Sequence, residues 1–364
     1  ARVVVVGRDC GWEEMREGRG FVGQSGKLIW HPTRHDGAAD KAGLVREACL
    51  VTNVVNTQPP HNDWSKHDPR SIARGSAEAL ALIAEHPRTL VIALGEQAAS
   101  LCLGGHVEHA LPDSITNIRG YVFPEAVCGV PTLVGVHPAF ILRNWHPWWA
   151  TFCWDWQKAA RIVAQGAFVP HKVEVEVLTS TEALGNWWGG VVAQARRTND
   201  AVIACDVETI GCGCIGFAAS PYQAVIVPGK PASNHKHVEV LTAILNNTNG
   251  IEFVLQNGQF DWMMFARAGM VPERAWPQFT HDLMLEWHAL DPLIAGARQD
   301  ATNKTKGRTE KSLEFFAGLL LDGAQRWKNY SYQNDMEQFT LCGIDNGYTL
   351  ACWRELRRRL CASS

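Results

Sequence analysis

The sequence predicts two α/β domains in tandem, and three observations carry that prediction. Through the first half, short uninterrupted apolar runs alternate with helical stretches, the pattern of a parallel sheet covered on both faces. The pattern breaks around 166–175, where "QGAFVPHKVEVEVL" brings a glycine, a proline and an alternating strand. The second half then opens on three strand-like runs joined by short turns before helices take over. A chain of 364 residues is long enough for both domains, expected at 1–168 and 173–364.

The strands of the first half are read at 3–6 ("VVVV"), 50–55 ("LVTNVV"), 89–95 ("TLVIALG") and 132–138 ("TLVGVHP"). Between them, 71–86 places apolar residues at helical spacing. Sites in parallel sheets lie at the carboxyl ends of the strands. Unusual residues fall there: Asp9 in "GRDCGWEE", Asn53 in the second run and His137 ending the last. In the second half, strands at 201–209, 214–220 and 223–229 form an expected antiparallel meander. Helices follow near 236–247, 260–269, 281–290, 311–320 and 335–360, with a polar, basic break at 299–312.

Composition narrows the function classes. Hydrophobic content of 46% with 20% charged residues describes a globular protein. The net charge of −3 provides no global basic field, so nucleic-acid binding would rest on local patches. No apolar run approaches the about 20 residues of a membrane span, and no signal peptide is evident, so no membrane partner is expected. The 11 cysteines are scattered without a C-x-x-C pair, which points to reduced thiols in a cytoplasm, that of a host cell if the protein is viral. The stretch 143–161 carries five tryptophans, read as a core-facing helix in preference to a base-stacking surface. The cations Lys304, Lys306, Arg308 and Lys311 are read as a solvated loop in preference to a phosphate track.

In "CDVET", Asp206 and Glu208 stand two apart on a strand and so share one face. Adjacent carboxylates repel unless a cation lies between them. Asp261 follows in "LQNGQFDWMMF", just inside a helix that Asn257 or Gly258 would begin, and Asp345 lies in the helical "LCGIDNGYTLACW". Four acids on one strand and two helices can hold two metal ions that activate water against a phosphodiester. These blocks, with "HDLMLEWHALDP" and "KSLEFFAGLL" downstream, resemble the DEDD 3′–5′ exonucleases, in particular the proofreading domain of family A DNA polymerases. The resemblance, over roughly 172–358, implies a ribonuclease H-like α/β domain. It also implies two Mg²⁺ or Mn²⁺ ions on Asp206, Glu208, Asp261 and Asp345, and single-stranded 3′ ends as substrate. The family has Tyr or His four residues before the last Asp to position water; here that residue is Leu341. Tyr348, then Tyr332 and His281, are the candidates to replace it.

"GRDCGWEE", "GRGFVGQSGKL", "TNVVNTQPPHN", "ALGEQAASLCLG" and "HPAFILR" occur in that order over about 1–165. This series resembles the uracil-DNA glycosylase superfamily, its family 4 branch above all, and implies a three-layer parallel-sheet domain acting on uracil-containing DNA. In that likeness Phe21 stacks on the flipped base and Asn53 reads its edge. Asp9 stabilises the sugar cation and orients water, and His137 donates to the base oxygen. Phe140, Ile141, Leu142 and Arg143 form a wedge in the base stack. The branch carries Glu where this chain has Arg8; Asp9 falls where another branch has its water-activating Asp. The branch's iron–sulfur cluster uses a Cys where Thr57 stands, so no cluster is expected. The domain order is similar to the front of phage-type family A polymerases, which implies a polymerase domain or subunit as partner. In the alternative reading, Arg8 and Leu341 mark two degenerate sites of a non-catalytic DNA-binding module.

Overall fold

A computed structural model describes residues 3–86, 90–105, 114–124, 126–208, 213–229, 235–271, 279–290, 312–327 and 334–363. They divide into two compact units: the described residues of 3–170 with 322–326, and those of 171–290 with 312–321 and 327–363. Both units are α/β, as expected from the sequence.

The first unit is built on strands β1 (Val3–Asp9), β2 (Cys49–Val55), β3 (Leu90–Leu94), β4 (Val122–Phe123) and β5 (Thr132–Gly135), in the order β2-β1-β3-β5-β4. All neighbours are parallel except β4 with β5. Its helices are α1 (Trp12–Glu17), α2 (Gln24–Lys27), α3 (Ala38–Lys41), α4 (Pro69–Ala84), α5 (Glu96–Cys102), α6 (Ile115–Ile118), α7 (Pro138–Arg143) and α8 (Trp145–Gln165). The apolar runs are buried because helices cover both sheet faces. Val4, Val6, Val91 and Ala93 pack with Ile72, Ala79 and Ile83 of α4 and Ala98 of α5. Helix α8 lies against β3 and β5. Its Trp148 and Trp156 are buried, and the Trp156 ring meets Trp30 edge-on at 5.5 Å. These two of the five tryptophans face the core, and Trp149 and Trp154 are half-buried. Gly75 seats α4: a Cβ there would lie 2.4 Å from the Val54 carbonyl oxygen.

The second unit holds β6 (Glu174–Val177), β7 (Val202–Glu208), β8 (Cys214–Ser220), β9 (Gln223–Pro228), β10 (Glu252–Leu255) and β11 (Phe279–Asp282), in the order β11-β10-β7-β8-β9-β6. Strands β7, β8 and β9 form the antiparallel meander; β10 and β11 extend it in parallel on one side, and β6 pairs parallel to β9 on the other. This is a mixed sheet in which β6 is an edge strand added beside the meander. The helices are α9 (Thr181–Thr198), α10 (His235–Leu245), α11 (Gly258–Arg267), α12 (Leu283–Leu290), α13 (Leu313–Leu320) and α14 (Asp335–Ser363). Period-two alternation sorts β7. Ile203, Cys205 and Val207 face a core shared with α9, α10 and α11, and Ala204 packs with Leu350 of α14 on the other face. Asp206 and Glu208 share the α14 face. Helix α14 comes close through two glycines one turn apart: a Cβ on Gly343 or Gly347 would lie 2.5 or 2.6 Å from Val175 or Val173.

The cations expected around 304–311 lie outside the described residues. Among the described residues, no helix is long and apolar enough to cross a membrane, and the cysteines are free thiols.

Candidate functional sites

The first site lies at the carboxyl ends of β1 and β2. Gly7 and Asn53 are register partners across the parallel pair. A Cβ on Gly7 would lie 2.3 Å from Asn53 Oδ1 and 2.8 Å from the Phe21 ring, so only glycine allows the backbone, the Asn53 amide and the aromatic ring to meet. Asn53 is buried, and its Nδ2 donates to Cys10 Sγ at 3.3 Å. Phe21 is held in the left-handed region, φ 57°. Glu14 holds it there by accepting from the Phe21 N–H and, at 2.5 Å, from the Gly11 N–H. Glu14 was not foreseen; a Gly N-cap has no side chain to complete a capping box, so only the reach of Glu14 back to the Gly11 N–H is made.

Asp9 ends β1. Its Oδ2 takes the Arg8 Nε at 3.1 Å and faces His67 Nε2 at 3.4 Å. His67, 58 residues away in sequence, belongs to no motif and was also missed. His137 caps α7, and its Nδ1 accepts from the Ala139 N–H at 3.2 Å. A ring nitrogen that accepts carries no proton, so the neutral imidazole bears its proton on Nε2. Desolvation, with Arg8 and Arg143 nearby, lowers the His137 pKa from 6.5 to about 4. The ring is therefore a neutral donor at pH 7, 6.1 Å from the Phe21 ring.

The expected wedge requires a correction. Ile141 is 0% exposed and packed on the inner side of α7, so it cannot enter a base stack without unfolding its helix. Leu142, 43% exposed, and Arg143 are at the surface.

The second site lies on the α14 face of the second sheet. Asp206, Glu208 and Asp345 bring one carboxylate oxygen each within 4.8 Å of the others. Asp261 stands beside them, its Oδ1 accepting from the Val207 N–H at 3.0 Å. Burial and the charge of Asp206 push the Asp261 carboxyl well above its ordinary range. Like charges gathered in this way are what a cation would relieve, and hard carboxylate oxygens suit Mg²⁺ or Mn²⁺. Asp282 sets the start of α11: it accepts from Gly258 N–H at 3.0 Å and from Met284 N–H at 2.9 Å. Trp327 Nε1 donates to Asp345 Oδ1 at 2.5 Å, and Cys342 Sγ lies 4.0 Å from Asp206 Oδ2. Neither was foreseen.

Two candidates for the missing water-positioning residue are ruled out. Tyr348 is buried, its hydroxyl donating to the His171 carbonyl at 3.2 Å. His281 is occupied by Glu286 at 2.8 Å and Glu252 at 3.0 Å. Burial disfavours its charged form, yet these carboxylates outweigh burial and raise its pKa. Tyr332 lies outside the described residues.

Two solved structures are similar to the chain at low scores. The Aedes aegypti Nibbler EXO domain is 13% identical, covering 54% of this chain and 94% of that one, with a TM-score of 0.34. Brucella melitensis NrnC with bound Mg²⁺ is 13% identical, covering 54% and 84%, with a TM-score of 0.32. In sequence, the type-4 uracil-DNA glycosylase of Thermotoga maritima is 32% identical over 143 residues, 39% of this chain and 67% of that protein. The type-4 enzyme of Sulfurisphaera tokodaii is 30% identical over 146 residues, 40% of this chain and 62% of that protein. The model of the uracil DNA glycosylase superfamily matches residues 1–161, the segment that carries Asp9, Phe21, Asn53 and His137. Through its N-terminal half, the chain belongs to the uracil DNA glycosylase superfamily.

Proposed function

We propose that this is a DNA-processing hydrolase with two active sites: a metal-dependent 3′–5′ exonuclease in the second unit and a uracil-excising site in the first. The observation that carries the reading is the meeting of Asp206, Glu208 and Asp345, from a strand and a helix far apart in sequence, within 4.8 Å. Asp206, Glu208 and Asp345 would hold divalent ions, with Asp261 completing the set. Bound there, such ions lower the pKa of water and offset charge on the leaving oxygen. The chain's own contribution is placement. Asp282 fixes the helix that carries Asp261, and Trp327 fixes one oxygen of Asp345.

In the first unit, Phe21 would stack on an extruded uracil and Asn53 would read its edge. The C1′–N1 bond breaks with its electron pair leaving on the base. Water supplies hydroxide to C1′ and the proton that ends on the departing base. His137 Nε2–H would donate to the base oxygen as negative charge develops. Asp9 would face the positive sugar. Leu142 and Arg143 remain to fill the gap in the stack. A polymerase domain or subunit would be the natural consumer of both activities.

The test follows a strand labelled at its 3′ end and a uracil-containing oligonucleotide. Wild type should shorten the first only with Mg²⁺ or Mn²⁺ present, and release uracil from the second without added metal. Asp206→Ala that digests the labelled end as fast as wild type would refute the exonuclease reading. Equal background of abasic sites for wild type, Asp9→Asn and His137→Ala would refute uracil excision.

A further inference from the structure

The first site holds a buried histidine that no recognised motif supplies, facing the Asp9 carboxylate. His67 has 3% of its side chain exposed, and Asp9 has 11%. Its place is fixed from both sides. Before it, Asp63 accepts from the Ser65 N–H at 3.0 Å and caps the turn Trp64–Lys66, and the His67 N–H closes that turn on the Trp64 carbonyl at 3.1 Å. After it, Asp68 caps α4 through the Arg70 N–H, with Pro69 in the first turn. The Trp64 ring meets the His67 ring edge-on at 5.0 Å. Helix α4 is itself seated on β2 at Gly75. The imidazole is thus carried to the end of β1 by packed elements.

Asp9 has two oxygens with different surroundings. Oδ2 is shared by Arg8 Nε at 3.1 Å and His67 Nε2 at 3.4 Å. Oδ1 has no partner among the described residues. A carboxylate oxygen only accepts, so it selects the His67 tautomer with the proton on Nε2; held at that oxygen from two elements, the carboxylate cannot rotate freely and its other oxygen keeps one direction. Arg8 alone, one residue away on the same strand and 34% exposed in its side chain, would leave that rotation open.

We propose that His67 is a positioning residue for uracil excision: with Arg8 it clamps Oδ2 of Asp9, so that Oδ1 faces the sugar cation and the incoming water. The proposal rests on the uracil-excising reading of this pocket. It makes Arg8 part of the working site, where the sequence departure alone suggested decay.

The experiment uses the full chain and compares wild type, His67→Ala and His67→Gln, whose amide N–H can replace the Nε2 donor. One measurement is steady-state uracil release. The other is affinity for duplex DNA carrying either a cationic pyrrolidine or an uncharged tetrahydrofuran abasic analogue. Misplacing a reacting group by an ångström costs on the order of a hundredfold, so His67→Ala should lower kcat by about 10- to 100-fold with KM unchanged. Its preference for the cationic over the uncharged analogue should shrink, while affinity for the uncharged one is kept. His67→Gln should recover most of both. Uracil release and cation preference at wild-type level in His67→Ala would overturn the proposal while the uracil reading stands. So would equal losses for both analogues without rescue by Gln, which would mark His67 as a packing residue. A wild type that neither releases uracil nor prefers the cation refutes the uracil reading, and the proposal falls with it.

Discussion

His137 works as a neutral ring, and its protonation can be followed. The unfolded chain takes a proton on this imidazole near pH 6.5, whereas the folded chain holds it neutral to about pH 4. Between those values the unfolded state binds more protons, so the ring's neutral burial lowers stability as pH falls through the window and adds no further loss below it. Denaturation from pH 7 to pH 4 should show wild type losing stability relative to His137→Gln, and imidazole NMR should find the proton on Nε2 throughout. A ring that titrates near 6.5 would contradict the desolvation that keeps it neutral. The candidates in the first unit were legible because their neighbours are distinctive: Asp9 and His137 follow apolar runs, and Asn53 is a lone amide inside one. Those that act at one remove were not. His67 reaches Asp9, and Trp327 reaches Asp345, only through the tertiary path of the chain. Ile141 was misassigned because a motif shows which residues lie together and not which side of α7 each occupies.

At the scale of elements, close approaches made by glycine set the geometry. Gly75→Ala would place a Cβ 2.4 Å from a backbone carbonyl that cannot move aside. Overpacking of this kind costs about 1–3 kcal/mol, and a lowered thermal midpoint should report it. The corrected wedge gives a paired prediction on α7. Ile141→Ala opens a cavity and should cost about 2–5 kcal/mol. Leu142→Ala at the surface should stay within about 0.5 kcal/mol of wild type while weakening binding to duplex DNA with an abasic gap. Denaturant melts and a binding titration separate the two; the reverse pattern would restore Ile141 to the wedge. β1, β2, β3, β5 and the meander were readable from apolar periodicity, whereas α9, β4, β10 and β11 were not read. The added edge strand β6 was seen as an alternating strand, but its parallel pairing with β9 is a long-range contact without a local signature.

For the whole molecule, each unit holds its own candidate site, built from its own residues. Two sites with separate side chains should fail separately. Asp206→Ala should abolish 3′-end digestion and leave uracil release at the wild-type rate, and Asp9→Asn should do the reverse; a product assay on one oligonucleotide carrying both features would show it. The central claim is that the acidic cluster on the second sheet exists to bind divalent metal. Mn²⁺ titration of wild type and Asp206→Asn, followed by calorimetry with the electron-spin signal of free Mn²⁺ as a check, tests it most directly. Saturable Mn²⁺ binding by wild type that Asp206→Asn loses, in a protein still folded by circular dichroism, is the predicted result. A wild type that binds no Mn²⁺, or an Asp206→Asn variant that binds as tightly as wild type, would contradict it.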